Sequence, residues 1–546
     1  MIIFPFILLA PNLCNEAPLF VEAGATLLPG VATVSGSAAK DYILEVNGGG
    51  LVVEDFNGDG WLDLIVIDGS TIERVRADEP GSAPRLYLGG ESGGFAAAPE
   101  AWSMSGGRWG TGGAAGDVNG DGFMDLVVCE WGADRLFLNE QGRGFREVEF
   151  EKTGFKGRGW STSAAFLDFD RDGHLDLVIT SYLRFALDEI APRGAAEGCT
   201  WKGHAVMCGP EGLIPLHDKL YRGLGDGSFE DVSVKAGFRP SEAGYALGVT
   251  TLDYDVDGDT DIYISNDSTP NHLWENQGDG TFKEVGNRRL AAVGSNGREQ
   301  AGMGIACGDV DGDGRDDLFV TNFSGENNVL YSSSGKSRSF KERSYKDGLA
   351  GPSIQRLGWG TGLGDFDLDG DLDLFVLNGH VYPQADEEGS DTSYAQGDDL
   401  FLQGESGFVQ HVLSDGAPSV SRAGLCADLD GDGLLEIVAL DLGGAVRVLE
   451  NTTEPGAGHW LSVRLRGSQS NRNGLGASVT VRIGEKRIRR EVRSSAGFQA
   501  SGPAEVHVGI GTAEKIDEVI VAWPSGKTQS VTEVELDRQI LIEEPQ

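Results

Sequence analysis

Seven short stretches of the 546-residue sequence repeat one arrangement of oxygen-bearing side chains, Asp-x-Asp/Asn-x-Asp-Gly-x-x-Asp/Glu. The donors at positions one, three, five and nine are Asp55, Asn57, Asp59 and Asp63 in the first copy and Asp117, Asn119, Asp121 and Asp125 in the second. The third offers Asp168, Asp170, Asp172 and Asp176, the fourth Asp253, Asp255, Asp257 and Asp261, and the fifth Asp309, Asp311, Asp313 and Asp317. Asp365, Asp367, Asp369 and Asp373 form the sixth, and Asp428, Asp430, Asp432 and Glu436 the seventh. Hard cations such as Ca²⁺ take six to eight oxygens, and such a loop supplies them from one tight turn, with the carbonyl at position seven as a further donor. An EF-hand begins the same way but requires Glu at position twelve and a helix after the loop. Position twelve is instead Val66, Val128, Ile179, Ile264, Val320, Val376 and Ala439, each in an apolar β-run, so the EF-hand fails seven times. Acids that merely cap turns would account for one copy, not for seven with the same spacing. Up to seven Ca²⁺ ions are expected, and closed repeated sites of this kind read as structural.

Other chemistry is sparse. There is no His-Glu-x-x-His and no phosphate-cradling loop, and no catalytic residue is assigned. Asn266, Asp267 and His380 follow second strands, where they either line a ligand pocket or hold their loops by local hydrogen bonds. His174 occupies position seven of the third loop, where only its carbonyl is needed, and is expected to face solvent. A basic run, Arg487 to Arg493, is read as a contact for an acidic partner or polysaccharide, as a dock on the acidic repeats, or as a solvated strand face.

The net charge of −41 excludes a nucleic-acid partner, because phosphates demand a basic footprint. Of the 85 acidic residues, 26 sit at the loop positions named above, so much of the imbalance is metal-site chemistry. With 82 Gly and few long helical periodicities, the elements positioning the loops are short strands and turns. Each repeat begins with a Gly-rich strand such as Trp109-Gly110-Thr111-Gly112 or Gly358-Trp359-Gly360-Thr361, whose small residues suit a crowded axis. The acidic loop follows, then a β-branched strand, then a Leu-Tyr/Phe-Leu strand, and a Gly-Asp-Gly hairpin turn leads to the last strand. Four strands per repeat, seven times, close into a seven-bladed β-propeller, since a ring leaves no exposed sheet edge. Insertions at 183–218 and 383–398 are expected on its rim.

After about Gly458 no acidic loop recurs, and strand-like alternation points to a small C-terminal β domain. Residues 18–454 are assigned to the propeller and 455–546 to that domain. Residues 1–17 hold an apolar run without a preceding Lys or Arg, too short to span a bilayer; it is read as an atypical or truncated export signal or as a buried strand. Cys199 and Cys208 flank a short Gly-rich insertion and are placed for a local disulfide, which implies an oxidising compartment. Cys14, Cys129, Cys307 and Cys426 are read as unpaired.

The loops and the Gly-rich strands before them resemble the FG-GAP/VCBS repeats of integrin α-subunit propellers and bacterial surface proteins, over roughly residues 45 to 452. The tail resembles the ASPIC/UnbV domain, through His459-Trp460-Leu461, Ser470-Asn471-Arg472-Asn473-Gly474, Ser494-Ser495-Ala496-Gly497-Phe498 and Trp523-Pro524-Ser525-Gly526. The combination is similar to the bacterial relatives of cartilage acidic protein 1, with Asn378-Gly379-His380-Val381-Tyr382-Pro383 as a further shared stretch. That resemblance implies a secreted calcium-binding or adhesion-like factor.

The sequence therefore leads to an all-β, secreted, periplasmic or cell-surface protein: a calcium-binding propeller that serves as a non-enzymatic binding or adhesion module for a protein or polysaccharide partner. No transmembrane segment is expected. The alternative is a carbohydrate-active lyase or hydrolase with its site in the propeller channel.

Overall fold

The computed structural model describes residues 19–546 apart from 158, 196, 197 and 455; the export signal read at residues 1–17 and Cys14 lie outside it. Strand accounts for 40% of the protein and helix for 7%, which makes it all-β. The repeating unit is well seen in the second copy. There Gly110–Gly116, Asp125–Gly132, Arg135–Asn139 and Phe145–Glu147 pair antiparallel in sequence order, and the acidic loop spans Gly116 and Asp125. Position nine of every loop is the first residue of its unit's second strand: Asp63, Asp125, Asp176, Asp261, Asp317, Asp373 and Glu436.

Seven such four-stranded units occur among the described residues, and together they form a propeller. Their innermost strands, Gly50–Glu54, Gly110–Gly116, Gly159–Leu167, Ala246–Leu252, Ile305–Gly308, Gly358–Gly364 and Ser421–Ala427, touch in that cyclic order and the last returns to the first. The approach between neighbours explains the small residues: a Cβ on Gly112 would meet Thr162 O at 2.3 Å, and one on Gly360 would meet Arg422 O at 2.6 Å. The last unit supplies only three strands of its own. Its outer strand is Phe20–Glu22, which pairs antiparallel with Val446–Asn451 so that the start of the described chain closes the ring.

The innermost strands also fill the axis. Five of them carry a register shift near their start, close to Trp109, Trp160, Tyr245, Trp359 and Arg422, and a bulge re-aims the side chain beside it. All five of these side chains are buried, and the four aromatic rings pack in one cluster with Met303, Tyr182 and Phe498.

Phe498 comes from the tail. Residues after 458 build a three-stranded sheet (Glu505–Gly511, His459–Arg466, Arg538–Glu543) and a four-stranded one (Lys486–Glu491, Ser478–Ile483, Glu518–Ala522, Thr528–Val531). Their core includes Val463, Val479, Val508, Val519 and Trp523. Between the two sheets, residues 494–501 leave the tail and enter the ring. Ala500–Ser501 pairs in parallel with Leu51 and Val52 of the first unit. Gln499 N donates to Ser163 Oγ of the third unit at 2.8 Å, and Gly497 O accepts from Val249 N of the fourth at 2.8 Å. Phe498 lies 5.0 Å from the Trp359 ring of the sixth unit. One loop of the tail thus plugs the axis.

Gly497 has φ +72°, and a Cβ there would lie 2.1 Å from Ile305 O. G497A therefore meets both backbone strain and a main-chain clash, and should lower the unfolding free energy by about 2–4 kcal/mol. The measurement is a denaturant titration combined with limited proteolysis, in which the variant should become sensitive between residues 450 and 458 as the tail lifts away. Unchanged midpoint and cleavage would remove the plug's role in the fold.

Candidate functional site

Each acidic loop turns on two carboxylates held by main-chain donors. In all seven, the position-one carboxylate accepts from the position-six N–H at 2.8–3.2 Å. The position-nine carboxylate accepts from the position-two N–H at 2.9–3.2 Å. In six loops its other oxygen accepts from the third strand, as Asp125 does from Asn139 N at 2.8 Å and Asp373 from Gln403 N at 2.8 Å. Position nine is thus a clamp between loop and third strand as well as a donor aimed at the loop centre, a double role that the spacing alone does not reveal.

Several of these clusters could hold a metal ion. Ligand atoms of Asp168, Asp170 and Asp176 lie within 4.8 Å of one another, as do those of Asp253, Asp255 and Asp261, of Asp309, Asp311 and Asp313, of Asp365, Asp367 and Asp373, and of Asp428, Asp430 and Glu436. The first two loops differ, because Asn57 Nδ2 donates to Asp59 Oδ2 at 2.9 Å and Asn119 Nδ2 to Asp121 Oδ2 at 3.2 Å. The donor sets fit a hard divalent cation. They consist only of oxygens, and Asp168 Oδ1, Asp255 Oδ1 and Asp365 Oδ1 are buried without a hydrogen-bond partner. Burial pushes Asp125 up to about 8 and Asp373 to about 9, so anionic carboxylates here call for a nearby positive charge.

The tail covers this face, and every loop has a tail residue against it. Arg464 acts electrostatically on Glu54 and Asp55 at the first, and Arg472 Nε is 3.6 Å from Asp117 at the second. Gln469 O closely approaches Gly173 at the third, and Glu491 Oε2 accepts from Asp253 N at 3.2 Å at the fourth. Arg493 pairs with Asp316 at 2.5 Å at the fifth, Lys486 lies 3.2 Å from Asp371 at the sixth, and His507 Nε2 is 2.8 Å from Gly433 O at the seventh. Of the three readings of the basic run, docking on the acidic repeats is the one the geometry realises for Arg489, Arg490 and Arg493, while Arg487 is exposed. His174 is exposed, as position seven requires.

Asn266, Asp267 and His380 belong to the opposite face. Asn266 is fully buried; its N accepts nothing but donates to Asn271 Oδ1 at 2.8 Å, and its Nδ2 donates to Pro270 O at 2.7 Å, so it holds its own loop. Asp267 accepts from Tyr182 OH at 2.6 Å, and burial raises its carboxyl above the usual range. His380 is also fully buried, with Nδ1 accepting from Tyr382 N at 3.0 Å and with Trp201, Tyr382 and Phe323 rings 4.8, 5.4 and 5.6 Å away. Neither Asn266 nor His380 reaches an open pocket. Trp201 stands on a hairpin, Cys199–Trp201 with His204–Val206, tied by the Cys199–Cys208 disulfide. The hairpin comes from the third unit and pairs with the sixth, through Lys202 with Asp391 and His204 Nδ1 with Glu387 at 2.7 Å. It therefore crosses the axis as a strap.

With the strap on one side, the tail plug on the other and the aromatic ring cluster between them, most of the channel expected to house a lyase or hydrolase site is filled, leaving a cavity of about 200 Å³ between the innermost strands and the tail. Sequence reasoning also missed Arg422, which is fully buried without a carboxylate. It donates to Val46 O at 2.6 Å, Ser421 O at 2.7 Å, and Gly379 O and His380 O at 3.2 Å, and it lies 4.2 Å from the Trp359 ring centroid. Its position in a Gly-rich first strand, where four other units place aromatic residues, was the available signal.

Burial, and then the charges of Arg422 and Lys202, lower the His380 pKa to about 3. The neutral ring contributes stability that is complete above about pH 6.5 and is lost as pH falls toward 3, because over that window the unfolded chain binds the proton and the folded one does not. The loss should be on the order of a few kcal/mol. Melting curves of parent and H380Q between pH 7 and 3.5 check this: the gap between them should narrow with acid, and a constant gap would refute the assignment.

The FG-GAP-like repeat family matches residues 55–128, 117–179, 253–320 and 309–376, and the ASPIC and UnbV family matches residues 467–546. Cartilage acidic protein 1 of Mus musculus is 27% identical over 349 residues, covering 62% of this chain and 51% of the relative. That of Homo sapiens is 26% identical over 332 residues, covering 59% and 47%. The chain thus spans about half the length of these curated relatives. Among solved structures, BBS1N in complex with ARL6DN is similar at 10% identity and a TM-score of 0.41, covering 80% of this chain and 99% of that one. The protein is thus an all-β propeller that carries FG-GAP-like repeats and, at its end, a segment matched by the ASPIC and UnbV family.

Proposed function

We propose that the protein is a secreted, periplasmic or cell-surface binding module whose seven-bladed propeller, residues 18–454, is held by structural Ca²⁺ and capped by the domain at 455–546. The observation that carries this reading is that the acidic loops converge on one face and that each lies under a residue of the tail. Up to seven ions at the loops beginning with Asp55, Asp117, Asp168, Asp253, Asp309, Asp365 and Asp428 would neutralise carboxylates that otherwise repel one another, and would fix the surface on which the tail sits. Asn57 and Asn119 leave the first two sites less charged and so weaker. The Cys199–Cys208 disulfide favours an oxidising compartment, and no helix among the described residues is long and apolar enough to cross a membrane.

The packed axis supports a non-enzymatic role, with recognition at the outer surfaces. The partner is a protein or a polysaccharide, and the acidic exterior argues against nucleic acid.

Removal of divalent ions should expose the function of the loops. Chelation followed by calorimetry should lower the melting temperature strongly and reversibly, since each site saturated at about 100 times its Kd adds ~2.7 kcal/mol. D365N should diminish the calcium-dependent increment, whereas N57D should increase it. An unchanged melting temperature after verified removal of bound metal would defeat the structural-calcium reading.

A further inference from the structure

A cleft of about 970 Å³ opens outside the loops, on the face opposite the tail. It lies between the helix Ile72–Ala77 of the first unit, the turn after the second strand of the second unit, and the start of the strap. Its size is at the upper end of ordinary ligand pockets. One wall is the half-buried Trp131, whose indole Nε1 donates to Phe185 O at 3.2 Å and whose ring meets the Phe185 ring edge-on at 5.5 Å. The Arg108 guanidinium lies 4.6 Å from the Trp131 ring centroid, so indole and guanidinium form one platform.

The charges around that platform are unequal in availability. The buried acids are engaged: Glu130 pairs with Arg135 at 2.6 Å and accepts from Arg108 N at 2.9 Å, and Asp134 accepts from Glu130 N and Ser161 Oγ at 3.2 and 2.9 Å. Three arginines are not held in this way. Arg76 donates only to the neutral Tyr42 hydroxyl, Arg108 faces the exposed Asp78 at 3.7 Å, and Arg184 pairs with the exposed Glu189 at 2.7 Å. Such surface pairs are weak and exchange readily with another anion. Glu147, which accepts from Ser105 Oγ, and the exposed Asp188 are the remaining acids of the lining. The lining as a whole carries four arginines against four acids, so in a protein of net charge −41 it is a locally neutral patch in which three loosely held guanidiniums surround an aromatic platform.

We infer that this cleft binds an acidic oligosaccharide, with a sugar ring against the Trp131–Arg108 platform and carboxylates paired with Arg76, Arg108 and Arg184. Arginine forks match carboxylates in bidentate geometry, and an indole face suits the apolar side of a pyranose. Because the cleft is open and is drawn from three separate loops, it suits a chain of several sugars rather than a single compact ligand. The inference rests on the binding-module reading and gives that module its site and ligand class.

The test uses the full-length, calcium-loaded protein and a matched pair of probes: a β-1,4-linked mannuronate hexamer and mannohexaose, which share a backbone and differ in the C6 carboxylate. Binding is followed by tryptophan fluorescence and calorimetry. The acidic hexamer should bind saturably, at least tenfold tighter than the neutral one, and more weakly as salt is raised. R108Q/R184Q should weaken it at least tenfold, and W131F should remove the fluorescence change, with melting temperatures unaltered. Absence of saturable binding, equal binding of the neutral hexamer, or full affinity in the variants would overturn the site. Equal competition by benzoate would overturn the saccharide assignment. A glycan or protein retained on the parent and on the variants alike would sink the cleft and leave the binding-module reading standing, whereas failure of the calcium reading would show separately in the chelation melt.

Discussion

Everything in this structure depends on carboxylates placed where backbone N–H groups can hold them. A position-one carboxylate folds each loop by accepting from position six, and a position-nine carboxylate joins that loop to a strand farther out in the same unit. These bonds give each loop its shape, but they also bring three or four negative groups into one partly desolvated space. Burial of a carboxylate is costly unless an opposite charge offsets it. The protein meets the demand from two directions, with donor geometry suited to a hard cation inside five of the loops and with tail arginines and a lysine placed just outside several of them. The tail is therefore an electrostatic complement to the ring as well as a packed partner.

The axis obeys a different constraint. Seven innermost strands crowd together, and glycines there let main chains approach, but a ring of strands leaves a hole that must be filled. Large side chains at the entrances to the strands do part of this, and the loop at residues 494–501 does the rest. Arg422 is the unusual member, a buried guanidinium satisfied by four carbonyls and an indole face, for which burial lowers the pKa to about 9. Removing one side of such an arrangement leaves buried carbonyls without donors, which explains why a charged residue can be part of an otherwise aromatic core.

Much of the architecture was legible in the sequence because the repeat is local. Ligand spacing, the β-run at position twelve, the Gly-rich first strand and the Gly-Asp-Gly turn all lie within one unit, and the strands fall where those signals place them. The tail's change of grammar after Gly458 was equally local. What could not be read depends on contacts distant in sequence. Phe20–Glu22 has no motif that assigns it to the final unit; it belongs there because Val446–Asn451 lacks an outer partner. Phe498 reads as an ordinary strand-flanking aromatic until the axis is seen. His380 packs against Trp201 of the strap, which comes from another unit, and no property of its own segment reveals that contact. The cleft at Trp131 was missed for the same reason, since three loops build it and none carries a ligand signature.

The closure by Phe20–Glu22 has a consequence for how the protein forms. The hydrogen bond from Thr452 Oγ1 to Leu19 O joins residues 433 positions apart, and that from Gln499 to Ser163 spans 336. Contacts at such separations pay their loop-closure entropy late and make folding slow. Individual units can collapse as they emerge, but the ring has no closed state until residue 451 is available and no filled axis until residue 501. Until both are made the growing chain carries unpaired strand edges, the feature that exposes an unfinished molecule to aggregation.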